Sequence, residues 1–245
     1  FGDYPDQGNY GTGMQIYNGY LYFSTAGEVY RYKMDPEGLL PTGEPELILV
    51  DDYKNAKYGY EHIAKPIAFD NDGHMYVAFG SPGDVCQEFN RKPGSPGMYP
   101  CPQLEWHGGI WQFDANKLNQ TQKDGKRYAT GIRSVVAMDW NQEENELYVV
   151  QHGRDDFTKS WPDLFSPWES SVLPSEEFFR VEEGTDGGWP YYYFDQMKGK
   201  IMVNPEYGGD GTLENTDKNI ETPIVGFPGH YAPNDLLFYT GDQFP

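Results

Sequence analysis

Few residues of this chain have the types that allow chemistry. His62 lies in Glu61-His62-Ile63-Ala64-Lys65-Pro66, directly ahead of the apolar run Ile67 to Phe69. An imidazole there can accept a proton near neutral pH, although a histidine at a strand entry commonly serves only as a structural donor. Gln151-His152-Gly153-Arg154-Asp155-Asp156 closes a second apolar run. A glycine-bearing loop can turn its carbonyls, here those of Gly153 and Arg154, toward a hard cation such as Ca²⁺, with carboxylates adding negative field; a merely polar connection would read the same way. In Gly131-Ile132-Arg133-Ser134 a guanidinium, whose planar fork matches carboxylates, precedes a third run. Lys65, Arg133 and Arg154 are the basic groups expected to gather with the imidazole.

Other candidates are weaker. Asp70-Asn71-Asp72-Gly73 begins like a calcium loop but lacks the distal Glu and is explained as a turn. His74, in that turn, is expected to face solvent, and His107 to pack under an aromatic strand. The histidines are too scattered for zinc, and neither a GxSxG elbow nor a P-loop occurs.

To bring such groups together the chain must be built from strands. Gly 29 and Pro 19 interrupt every stretch long enough for a helix, and aromatic residues concentrate in short alternating runs. Asn71-Asp72-Gly73 between two apolar runs predicts a β-hairpin. One pattern then recurs: Met14 to Lys33, Pro66 to Lys117 with a long internal loop, and Ser134 to Gly184 with another. Tyr22, Tyr76 and Tyr148 mark the same place in each copy, and a further copy is expected from Ala232, with a strand over 235–241. Repeats of this kind with variable loops suit an all-β fold, the β-propeller, with a meander or sandwich as the alternative. A strand opening a blade places a residue such as His62 near the central axis. About four blades are expected, residues 1–245 forming an internal part of one larger propeller domain, since both ends stop between strands.

The formal charge is −20, from 18 Lys and Arg against 38 Asp and Glu. That field disfavours nucleic acid and anionic lipid as partners. Apolar runs stay well short of the roughly 20 residues that span a bilayer. Cys86 and Cys101 share one Pro- and Gly-rich loop; they are either a disulfide of an exported protein or two free thiols. Asn119-Gln120-Thr121 fits a glycosylation sequon, a triplet common by chance.

Taken together, EHIAKPIAFDNDGHMYVAFGSPGD, YATGIRSVVAMDWN, LYVVQHGRDDF, EEFFRVEEGTDGGWPYYYFD and PGHYAPNDLLFYTGDQFP resemble the sorbosone dehydrogenase branch of the quinoprotein sugar dehydrogenases. The resemblance covers essentially the whole chain. It implies a six-bladed propeller that binds pyrroloquinoline quinone (PQQ) and Ca²⁺ on its axis, lies in the periplasm or outside the cell, and oxidises an aldose or a sorbosone-like aldehyde, with a cytochrome or another electron acceptor as partner. By motif, His62 resembles the general base, Arg133 the arginine that touches the cofactor, and Gly153 and Arg154 the loop whose carbonyls hold the cofactor-bound calcium. Three departures stand out. Ser81 follows Gly80 where the glucose dehydrogenase branch places a supporting aspartate, with Asp84 three residues on. Ser134 stands where Asn commonly follows the arginine. The basic residues that clamp the cofactor in the family would lie beyond Pro245. Two other readings remain: a propeller of this lineage without cofactor, acting as a carbohydrate- or protein-binding surface module, and a calcium-dependent lactonase.

Overall fold

The computed structural model describes residues 13–51 and 58–244. The expected leading loop, residues 2–13, lies almost wholly outside them.

Four antiparallel strands form the first sheet: β1 (Met14–Tyr17), β2 (Tyr20–Ser24), β3 (Glu28–Met34) and β4 (Pro41–Val50). The second contains β5 (Ile67–Phe69), β6 (His74–Phe79), β7 (Gly109–Asp114) and β9 (Lys126–Thr130). Between its last two strands, β8 (Gln120–Thr121) leaves to pair in parallel with β4, tying the two sheets by main-chain bonds. The third has β10 (Val135–Asn141), β11 (Glu146–Gln151) and β12 (Glu176–Val181); a separate hairpin, β13 (Tyr192–Asp195) with β14 (Lys200–Val203), intervenes before the last strand, β15 (Val225–Phe227). Two short helices, α1 (Phe157–Ser160) and α2 (Pro167–Val172), interrupt the β11–β12 connection.

The predicted hairpin forms with Ile67 opposite Val77 and Gly73 at φ 96°, a conformation that glycine adopts without strain. Asp70 organises the turn: its carboxylate accepts from the amides of Asp72 and His74, from His74 Nδ1 at 2.7 Å and from Tyr76. The calcium-like spacing is therefore a turn, and His74 is tethered as well as half-exposed. Strand alternation decides the packing. Along β6, Met75, Val77 and Phe79 point into a core shared with the first sheet through Tyr22, Val29 and Leu49, while Tyr76 and Ala78 point into a second core shared with Trp140, Val149 and Phe179 of the third. The middle sheet is thus buried on both faces, and its opening strand β5 lies against both β1 and β10. Sheets stacked face to face around their opening strands are propeller blades.

All nine strands of the three repeats form where expected. Each sheet also has a fourth strand, and the β13–β14 hairpin was not anticipated. No strand forms over 235–241, because a strand needs a ladder partner and the described residues offer none there. The segment instead lies on the third sheet, with the Phe238 amide donating to Asp139 at 2.8 Å and its ring 4.9 Å from that of Tyr148.

Candidate functional site

Three loops meet on one side of the sheets: 80–84 after β6, 131–134 before β10, and 151–155 after β11. Their main chains are knit together, with the Ser81 amide donating to Arg133 O at 2.8 Å and the His152 amide to Ser134 O at 2.9 Å. His62 joins them through its own amide, which donates to Ser81 O at 3.3 Å.

The tautomer of His62 follows from its partners. Nδ1 lies 2.8 Å from the Ser81 carbonyl and 2.9 Å from Ser81 Oγ, whose own proton goes to Gly83 O at 2.7 Å. Both oxygens can therefore only accept, so Nδ1 carries the hydrogen and Nε2 carries the lone pair. Nε2 has no hydrogen-bond partner among the described residues. Burial, then the nearby positive charge of Arg133, pushes the imidazole down to about 3, against the opposing pull of the Ser81 carbonyl and Asp84. It is neutral at physiological pH. Ser81 thus orients the ring through its carbonyl and hydroxyl, in the place where the resemblance implies a supporting aspartate.

Asp84 is the hub of the charged network. Its carboxylate accepts from Arg133 Nη2 at 2.6 Å and from the Asp155 amide at 3.1 Å, and lies 3.7 Å from Arg154 Nη2. Burial pushes the Asp84 carboxyl up, but Arg133, Arg154 and Arg91 outweigh it and hold the group below its ordinary value. Arg91, overlooked in the sequence, bridges Glu61 and Asp155 at 2.8 and 3.1 Å. Gln151 accepts from the Arg133 amide at 2.7 Å and donates to Glu177, which burial pushes up to about 8 and so keeps protonated at neutral pH. These partners carry no local motif; only Asp84, in Ser81-Pro82-Gly83-Asp84, stood beside one.

Arg133 has a complete set of protein partners. Nε donates to Asp84 O at 3.0 Å, Nη1 to Gly153 O at 2.6 Å and His152 O at 3.3 Å, and Nη2 to Asp84 and Asp155 at 2.6 and 3.4 Å. Those contacts account for every N–H of a guanidinium. Arg154 is turned inward, pairing with Glu206 and stacking 4.7 Å over Phe157. Lys65 does not join the cluster. Its ammonium is buried in the seam between the first two sheets, 2.8 Å from Asp51 and 4.3 Å over the Phe79 ring. His107 is half-buried, edge-on to Tyr60.

The implied groups can be tested against this geometry. For a quinone the fit rests on His62, a neutral acceptor with its lone pair open. For calcium the expected carbonyl of Gly153 already accepts from a guanidinium, a cation beside which a divalent ion is repelled, so Gly153 and Arg154 as arranged do not fit calcium. Nor do the described residues contain a group of three or more His, Cys, Asp or Glu side chains able to hold a metal. Cys86 and Cys101 form a disulfide, closing the loop that carries Arg91 and starts two residues after Asp84.

Solved structures share this architecture. A carbohydrate-active enzyme of family AA12 from Trichoderma reesei superposes with TM-score 0.68 at 17% identity, covering 93% of this chain and 58% of that one. The PQQ domain of pyranose dehydrogenase from Coprinopsis cinerea, in its holo form, gives 0.68 at 14% identity, over 94% and 57%. The soluble aldose sugar dehydrogenase of Escherichia coli gives 0.56 at 16%, over 92% and 58%. At such identities the likeness is one of fold, and the chain spans under two thirds of each neighbour. A Borreliella burgdorferi protein of no stated function is 30% identical over 129 residues, 52% of this chain and 29% of that one. Residues 9–245 match the family described as Glucose / Sorbosone dehydrogenase, and the chain belongs to that family.

Proposed function

We propose that this chain is part of a quinoprotein that oxidises an aldose or a related sugar aldehyde, with His62 as proton acceptor. The observation that carries the reading is the His62 imidazole, held neutral, pinned at Nδ1 and open at Nε2. Nε2 takes the proton of the sugar hydroxyl as the C–H bond breaks and the carbonyl forms. A bound PQQ would supply the hydride acceptor. The Ser81 carbonyl steadies the ring as positive charge develops on it. The disulfide supports an exported protein, in the periplasm or outside the cell.

The test uses the full-length protein with added PQQ and Ca²⁺, reading dye reduction over a panel of aldoses. His62→Gln should lower turnover by about 10²-fold or more while quinone absorbance still reports binding. Equal turnover in the variant would remove His62 from the chemistry. The full set of protein partners on Arg133 favours a second reading, a propeller of this lineage that binds ligands without the cofactor. Absence of both quinone binding and turnover would select it.

A further inference from the structure

Beyond Glu206, the partner of Arg154, an open groove of about 560 Å³ runs between the disulfide loop, the β13–β14 hairpin and the 213–220 segment. That volume is in the range of small-molecule sites. Four tyrosines line it: Tyr99, Tyr191, Tyr192 and Tyr207. Their rings form a connected set, Tyr191 meeting Tyr99 at 5.4 Å, Tyr207 at 4.9 Å and Tyr192 at 6.4 Å, all edge to face. Two are fixed from behind by the disulfide loop. The Tyr191 hydroxyl accepts from the Cys101 amide at 2.8 Å, and the Tyr207 hydroxyl donates to Val85 O at 3.1 Å. Gly97 leaves the space the Tyr207 ring needs, since a Cβ there would lie 2.2 Å from it. The wall is preorganised, and Tyr99 is 82% exposed at its rim.

The charges in the groove are one-sided. Of its three lining carboxylates, Glu206 is neutralised by Arg154, whereas Asp186 and Asp217 form no ion pair among the described residues. No lining residue is basic. Burial and then the charge of Asp217 push the Asp186 carboxyl up, a sign that the two carboxylates feel each other. Tyrosine faces with uncompensated carboxylates attract an organic cation through the ring quadrupole and through direct charge. A neutral sugar could hydrogen-bond to the same carboxylates but would leave both negative charges unrelieved.

We propose that this groove binds an organic ammonium group. The test measures binding of choline and of its neutral carbon isostere, 3,3-dimethylbutan-1-ol, to the full chain by calorimetry and by NMR shifts of the tyrosine rings, with glucose as a third probe. Choline should bind at least about tenfold more tightly than the isostere, and Tyr99→Ala and Asp217→Asn should each weaken it about three- to tenfold. Both positions are on the surface, and unchanged melting of the variants would show that the fold is retained. Equal binding of choline and its isostere, tighter binding of glucose than of choline, or no binding of choline at all would each overturn the proposal. Turnover plays no part in the measurement, so it stands or falls apart from the His62 chemistry.

Discussion

At the scale of single residues, the site is an exercise in holding an imidazole neutral. The ordinary value for histidine is near 6.5 and that of folded His62 is about 3, so the unfolded chain takes up the proton first as pH falls. Stability should therefore rise with pH between about 3 and about 6.5 and be flat above, by at most about 1.4 kcal/mol per unit from this group. Urea titrations at pH 4.5 and 7 check the slope, and His62→Gln should reduce it. Asp84→Ala should be costly by another route. It leaves the buried guanidinium groups of Arg133 and Arg154 short of their shared carboxylate, a loss of about 3–5 kcal/mol in denaturant unfolding. His62, Arg133 and the Gly153 loop were legible because each sits beside a strand signal. Arg91, Gln151 and Glu206 were not, since contacts made across 64, 18 and 52 positions leave no local pattern. Lys65 shared the signal of its neighbour His62, yet it lies on the other side of the strand entry, under Phe79.

At the scale of elements, opening strands and hairpins were readable because alternation and turn residues are local. The fourth strands were harder: Val225–Phe227 is three residues long, and Pro41–Val50 includes two prolines and exposed polar positions. The connection between β6 and β7 holds the disulfide, which joins residues 15 apart. By chain entropy it contributes about 3 kcal/mol, so Cys86→Ser together with Cys101→Ser should lower stability by about that amount in guanidinium unfolding. The double variant should also loosen Tyr191, whose hydroxyl is held by the Cys101 amide, giving a second readout in tyrosine NMR line shapes.

At the scale of the whole molecule, apolar side chains lie open at both ends of the stack. Met14 and Ile16 on β1 are 71% and 68% exposed, and Tyr231, Leu237 and Phe244 are 71%, 77% and 69% exposed. We propose that further blades cover both in a longer protein, consistent with the 57–58% of the neighbouring structures that this chain spans. Amide exchange over 235–241 should then slow at least about tenfold in the longer protein, as that segment gains a ladder partner. Unchanged exchange would show that it remains unpaired.

The two-sided burial of β6 has an evolutionary corollary. Side chains within the strands answer to their neighbours in the stack, whereas the main chains of residues 80–84, 131–134 and 151–155 at the strand ends are knit to one another, with Ile132 reaching into the core and Arg154 held by Glu206. A lineage can therefore exchange one specificity for another by changing those three turns as a set, their charged partners together, while most of the scaffold beneath is inherited.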